Sequence, residues 1–259
     1  MLDIANVREK IAVVEKHCNL AFKGQSLFHQ ELIPEIPARD ISVRPPDQHP
    51  NKKGLSFKEG QARLLHDLAN IELQAMELGF RTLCEFPEAP EAFKEELIAV
   101  VKSESEHLTL CLDGLEKVGF KWGDWPVHTV LWQAVAKEDS LLDRILIVHR
   151  YLEGSGLDAG DALLKRLHGV AEGTIHSVVK TIVTEEIGHV EFGSRWYRAL
   201  CEKEKVDPQQ DFPDRIQSLR IRLPRRIERI SRPLREKAGF TDFEISYLED
   251  LRNRVALHP

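Results

Sequence analysis

Apolar residues recur at intervals of three and four along most of the chain, the spacing that places them on one face of an α-helix. The pattern predicts an amphipathic helix over residues 5–25 and four long helices over roughly 57–85, 90–119, 138–168 and 171–204. A further short helix is predicted at 131–135. No segment shows the alternation of a half-buried strand bounded by turn residues. The sequence therefore predicts an all-α fold.

Prolines and glycines mark the places where these helices stop. Five prolines lie between residues 33 and 54, Pro87 and Pro90 separate the first two long helices, and Gly169 precedes the last. The segment after residue 205 mixes prolines with arginines, a composition unsuited to a continuing bundle. We therefore predict an N-terminal helix and proline-rich arm (1–56), a four-helix bundle (57–205) and a basic C-terminal arm packed on the bundle (206–259).

Two glycines interrupt the third long helix, at positions 154 and 156. Glycine costs roughly 1 kcal/mol relative to alanine inside a helix. We therefore expect a kink or local opening of this helix just after Glu153.

Charge is distributed unevenly along the chain. The net charge is −6, but residues 215–237 carry nine Arg or Lys against two Glu, so this segment is +7 and the remainder −13. A basic segment on an acidic body either binds an anionic partner or folds back on its own body, and we favour the second interpretation.

The cellular setting follows from what the sequence lacks. The four cysteines are far apart and form no Cys-x-x-Cys pair, which argues against a disulfide framework and a thiolate zinc site. No segment approaches the ~18 apolar residues of a membrane span, and the first residues lack the core of a secretory signal. We expect a cytoplasmic protein with no membrane partner; a homodimer is compatible with the sequence.

Two long helices each contain the motif Glu-x-x-His, as Glu104–His107 and Glu186–His189. Random placement gives roughly one such match in a chain of this composition, so position must decide. Residues three apart on a helix lie ~60° apart and can reach one ion together. Both motifs lie among apolar residues, which places them on the helix faces that should point into a core.

Each motif is preceded by a solitary glutamate on the previous helix, also among apolar residues. The interval is 32 residues from Glu72 to Glu104 and 33 from Glu153 to Glu186, so the chain resembles two copies of one helical hairpin. Ionised carboxylates in an apolar core need paired cations or metal ions. The predicted metal ligands are therefore Glu72, Glu104, His107, Glu153, Glu186 and His189, the ligand set of ferritin-like dimetal proteins.

Other residues near these motifs are weaker ligand candidates. His149 could donate to the site or join it, but a partly exposed histidine is the favoured interpretation, and Cys111 is read as a small core residue. Glu106 and Glu185 point ~100° away from the neighbouring motif residue. The remaining glutamates near the motifs are expected to be solvated: Glu77, Glu138, Glu172 and Glu191.

Several stretches resemble the bacterial ferritin-like proteins of the family called domain of unknown function 455. Those stretches are residues 66–78, 122–132, 152–158, 185–196 and 235–240. The similarity extends from about residue 57 onward. Asn70 departs from the family pattern, where a histidine is expected before Ile71 and Glu72. The ligand pattern also resembles, more distantly, a bacterial di-iron tRNA hydroxylase. These resemblances imply a ferritin-like four-helix bundle.

The predicted function is that of an O2-dependent di-iron oxidoreductase or hydroxylase acting on an unidentified small molecule or RNA. Electrons would come from an external donor, because the sequence lacks a Gly-x-Gly-x-x-Gly nucleotide motif. The cofactor is expected to be two iron ions, with manganese or a manganese–iron pair as alternatives and zinc in purified protein. The other functions left open are a ferroxidase or metal-binding protein without an organic substrate, and a tRNA-modifying hydroxylase.

Overall fold

The structure, a computed structural model, describes residues 1–21, 33–171, 173–226 and 228–257. Within these ranges the regular secondary structure is helical, and strand-like pairing is limited to one isolated bridge between Val43 and Val127. The all-α prediction is confirmed. None of the helices in the described ranges has the length and apolar character that a membrane-spanning segment needs.

The helices follow the predicted pattern closely. The predicted first helix is present as α1, although its last four predicted residues, 22–25, lie outside the described residues. A continuous helix runs through α5, a π-helical turn at Leu146–Leu152 and α6. In chain order the α-helices are α1 (Val7–Ala21), α2 (Lys58–Glu85), α3 (Glu91–Lys117), α4 (Val130–Gln133), α5 (Leu141–Ile145), α6 (Glu153–Leu167), α7 (Thr174–Glu204), α8 (Pro208–Leu219), α9 (Arg232–Lys237) and α10 (Asp242–Leu257).

The chain divides into two compact units. The first contains Met1–Trp132 and Gly169–Val178, and the second contains Gln133–His168 and Val179–Pro259. The predicted four-helix bundle and the predicted boundaries after residues 56 and 205 stay predictions.

The first unit is built on the pairing of α2 and α3. These two helices pack along their lengths, and α1 packs on α3. Gly79 permits the close approach, because a Cβ atom there would collide with the Val101 side chain on α3. Between residues 33 and 54, which the structure describes, the helical structure of the proline-rich arm is a short 3-10 turn at Pro46–Gln48, as its composition predicts.

The irregularity in the third long helix lies before Glu153, so the predicted kink after Glu153 was wrong. The helix takes the wider π form over Leu146–Leu152 and is regular through both glycines. Gly154 has a packing role, because a Cβ there would collide with the guanidinium of Arg235. Gly156 has nothing within 4 Å of the equivalent position.

The C-terminal segment forms three helices, α8, α9 and α10, that the sequence did not predict. Pro208 and Pro233 lie in the first turns of α8 and α9, where a missing backbone N–H costs nothing. Asp207 caps α8 by accepting a hydrogen bond from the Gln209 backbone N–H. These two prolines thus mark where new helices begin, whereas Pro213 lies inside α8.

Arginines of this segment pair with carboxylates of the second unit, either on their own helix or on another one. Arg215 lies 2.7 Å from Asp211 and 2.5 Å from Asp143. Arg235, itself buried, lies 2.7 Å from the buried Asp158 of α6. These arginines therefore have carboxylate partners inside the second unit, and the packing of the basic arm on the bundle stays a prediction.

His66 of α2 supplies a pH-dependent contribution to stability. Its ring is buried, stacks on Trp122 and accepts a hydrogen bond from the Gly123 backbone N–H through Nε2, an arrangement that needs the neutral imidazole. Burial is the main cause that lowers the pKa of His66 from 6.5 to about 4. The unfolded chain therefore binds the proton first as pH falls, so stability decreases from pH 6.5 towards 4, by about 3 kcal/mol from this group.

We expect His66→Gln, which keeps a neutral acceptor, to reduce the loss of stability between pH 6.5 and 4. Urea unfolding at several pH values measures this difference. The control is His168→Gln. His168 is exposed, so its replacement should leave the dependence of stability on pH as it is in wild type. If the free energy of unfolding changed equally with pH in wild type and in His66→Gln, His66 would not be the source of the pH dependence.

Candidate metal centre

The first unit brings three of the predicted ligands together. Glu72 projects from α2, and Glu104 and His107 project from α3, where the Glu-x-x-His spacing places both on one face. His107 Nδ1 lies 3.5 Å from Glu72 Oε2 and 3.7 Å from Glu104 Oε2. All three side chains are buried. The pairing of α2 with α3 therefore assembles one Glu and one Glu-x-x-His, as predicted for this half of the chain.

Amide side chains next to Glu72 fix this part of α2 against the connection that follows α3. The Gln74 side-chain oxygen accepts hydrogen bonds from the backbone N–H groups of Leu131 and Trp132. The Asn70 side chain donates to the backbone carbonyl of His128. Asn70, which departs from the family pattern, thus has a structural role: its side-chain amide holds α2 to the connection that follows α3.

The second unit contains the other three predicted ligands. Glu153 opens α6, and Glu186 and His189 lie on one face of α7, with His189 Nδ1 3.4 Å from Glu186 Oε1. All three are buried, so each of the six predicted ligands is at most 9% exposed. The assignment of these six residues as metal ligands stays a prediction.

His149 accompanies Glu153, and the interpretation of it as a partly exposed histidine was wrong. Its side chain is buried, and its Nδ1 lies 2.9 Å from Glu153 Oε2. His149 also packs against α7, because a Cβ atom at Gly193 would meet the His149 side chain. It lies within the π-helical turn, and such turns are frequent at functional sites. In the sequence, the spacing of four residues between His149 and Glu153, which places both on one helix face, was the signal that could have indicated this contact.

The π-helical turn is held by a buried cation. Arg150 lies 2.9 Å from Glu244 of α10, and its guanidinium stacks within 5 Å of the rings of Tyr197, Phe212 and Phe240. Arg150 adjoins His149, so α7, α8 and α10 together fix the turn that presents His149 and Glu153.

Apart from His149, the weaker ligand candidates that the structure describes behave as the sequence predicts, with Glu77 as an exception. Glu106 and Glu185 are exposed, and Cys111 is buried. Burial, followed by the nearby Glu72 carboxylate, raises the pKa of the Cys111 thiol well above its ordinary value, which suits an inert core residue. Glu138 is exposed and Glu172 lies outside the described residues.

Glu77 is the exception, because it is buried and not solvated. Its carboxylate accepts hydrogen bonds from Lys10 and Arg39, which the sequence could not anticipate from α2 alone.

The donor set suits a metal ion. Two buried Glu–His pairs, Glu104–His107 in the first unit and Glu186–His189 in the second, offer carboxylate oxygen and imidazole nitrogen, and they are compatible with metal binding. These donors suit iron, manganese or zinc better than a thiolate-seeking metal.

Comparison with known proteins gives the family of the chain. Residues 3–246 match the family described as protein of unknown function (DUF455). An uncharacterized protein of Haemophilus influenzae is 29% identical over 271 aligned residues, which cover 98% of this chain and 93% of the relative. The match includes all six candidate ligands and ends within α10, and on this basis the chain belongs to the DUF455 family.

Proposed function

We propose that the six buried Glu and His residues make this chain a dimetal protein that holds two metal ions, with iron as the physiological metal. The observation that carries this proposal is the repetition: each unit buries one Glu and one Glu-x-x-His on its own pair of helices. A duplicated set of this kind is the ligand pattern of dimetal carboxylate proteins.

The charge balance of the six residues supports two divalent ions. Four buried carboxylates carry four negative charges, and an ionised carboxylate in an apolar core is strongly penalised unless it is paired or bound to metal. Two divalent cations balance four carboxylates. Bare affinity does not select iron over zinc or copper, so metal supply determines what a purified sample contains.

The proposed reaction is O2-dependent oxidation of a small organic substrate. Bound iron would supply the redox chemistry. One oxygen atom of O2 would enter the substrate and the other would leave as water, and an external donor would provide the two electrons and two protons that this requires. The carboxylates would balance the metal charge, and His107 and His189 would fix the geometry. His149 would orient Glu153 through the contact between them, as supporting histidines do for metal ligands.

A small molecule fits better than RNA as the substrate. The tRNA-hydroxylase alternative would use arginines of residues 215–237 as phosphate contacts. Arg215, Arg222, Arg232 and Arg235 already pair with carboxylates of the second unit, which leaves fewer of them for phosphate.

Metal analysis tests the proposal directly. Wild-type protein produced with excess iron is expected to carry about two iron ions per chain. The variant Glu104→Ala/Glu186→Ala is expected to lose them. The matched control Glu106→Ala/Glu185→Ala removes the exposed neighbours on the same helices and should retain both ions. Metal-free wild type under these conditions, or equal metal content in both double variants, would refute the site.

Oxygen consumption separates the oxidoreductase from a ferroxidase. A ferroxidase consumes O2 in proportion to added ferrous iron and needs no other substrate. The proposed oxidoreductase, already loaded with iron, consumes O2 only when an electron donor and an organic substrate are present.

A further inference from the structure

The second unit contains a cavity that is separate from the candidate metal ligands. It has a volume of about 300 Å³ and lies between α8, the loop that follows it and α10, with Tyr151 of the π-helical turn at its wall. Cavities of roughly this size and larger hold small ligands in other proteins.

Four arginines line this cavity, and none of its lining residues is acidic: they are Arg220, Arg225, Arg226 and Arg252. Arg252 has its partners inside the protein, because it lies 2.9 Å from Asp158 and donates to the Glu228 backbone carbonyl. Arg220 and Arg226 form no salt bridge with any residue in the described ranges. They contrast with Arg215 and Arg235, which are paired with carboxylates.

Arg226 is in an unusual environment for a cation. Its Nε is buried and has no hydrogen-bond partner within the described part of the chain. Burial is the main cause that lowers the pKa of this guanidinium; Tyr151 and Glu228 oppose the effect, and repulsion from Arg252 adds a smaller lowering. Arginine stays protonated in proteins, so the cost is not removed by losing a proton. A bound anion would supply the missing partner.

The rest of the cavity wall is apolar. Ile216, Leu223, Leu248 and Leu251 contribute to it. Ile221 at its rim is 98% exposed, which is unusual for a large apolar side chain. A ligand that covered Ile221 would gain free energy from the apolar area removed from water.

We propose that this cavity binds a small organic anion with a phosphate or carboxylate head and an apolar body. Arg220 and Arg226 bind the head, since guanidinium groups suit both kinds of oxyanion. The aliphatic residues and Ile221 cover the body. Tyr151 shapes the wall and is fixed by the hydrogen bond that its hydroxyl donates to the Pro224 carbonyl, 2.9 Å away.

Isothermal titration calorimetry on the full chain at low salt tests this site. Phenyl phosphate and 3-phenylpropionate are the probes, and they distinguish a phosphate head from a carboxylate head. Inorganic phosphate is the probe for the head alone and is expected to bind at least about tenfold more weakly than phenyl phosphate, because it lacks the apolar body. Equal affinity for the two phosphates would overturn the apolar half of the proposal.

Arg226→Gln and Arg220→Gln are expected to weaken binding of the preferred probe about tenfold or more, since each removes a charged contact to the head. Arg229→Gln is the matched control: the same change at an exposed arginine outside the cavity, expected to alter the affinity less than twofold. The exposed Arg220 keeps the test valid if Arg226→Gln fails to fold. Absence of binding by both organic probes, or equal loss in the Arg229→Gln control, would refute the site.

Discussion

Asp158→Ala is expected to lower the free energy of unfolding by about 3–5 kcal/mol, because it leaves buried cations without a partner. Asp158 is buried in α6. Its carboxylate accepts hydrogen bonds from the Ser231 backbone N–H at 2.9 Å and from Arg235 at 2.7 and 3.2 Å. Arg252 lies 2.9 Å from the same carboxylate. This one side chain therefore attaches α9 and α10 to α6.

Urea unfolding measures the effect. The matched control is Asp250→Ala, an exposed aspartate of α10 whose removal should change stability by less than about 0.5 kcal/mol. The double variant Asp158→Leu/Arg235→Met is expected to recover part of the loss, because it replaces a buried pair by apolar side chains. A loss of under about 1 kcal/mol for Asp158→Ala would show that the C-terminal helices do not depend on this pair.

The second large effect is expected for Glu77→Ala, also about 3–5 kcal/mol. Glu77 of α2 is buried and accepts hydrogen bonds from Lys10 of α1 and, at 2.6 and 2.7 Å, from Arg39 of the proline-rich arm. Burial lowers the pKa of Lys10, and the Glu77 carboxylate opposes that shift. Without Glu77, two buried cations would face each other uncompensated.

Chemical denaturation of Glu77→Ala and of the control Glu138→Ala tests this prediction. Glu138 is exposed, so its removal should be nearly neutral. Limited proteolysis is a second readout, because loss of Glu77 should release α1 and the arm and expose residues 33–54 to cleavage. Equal stability of the two variants would contradict the assigned role.

The local pattern of the sequence was enough to place the long helices. The three- and four-residue spacing of apolar residues predicts the bounds of α2, α3 and α7 to within a few residues, because burial of one helix face is a local property. The same reasoning placed six Glu and His residues on core-facing sides, and all six are buried. For the Glu-x-x-His motifs, the spacing within a single helical turn was enough to place both residues on the same face.

The sequence misjudged features that depend on distant residues. Gly154 suggested a helix break, but it accommodates Arg235 from 81 positions later. Prolines after residue 205 suggested an irregular arm, although two of them lie in the first turns of helices. Helix propensity gives the free-energy cost of placing a residue in an isolated helix, and a tertiary contact can offset that cost.

The sequence by itself determined the all-α class, the long helices and the repeated set of six candidate ligands, because each rests on spacing within one helix. Only the tertiary structure decided which charged groups are buried and what they contact. Glu77 is 67 residues from Lys10, and Asp158 is 77 residues from Arg235. The free energy of a buried charge depends on the partner that the fold brings to it, and no local pattern encodes that partner.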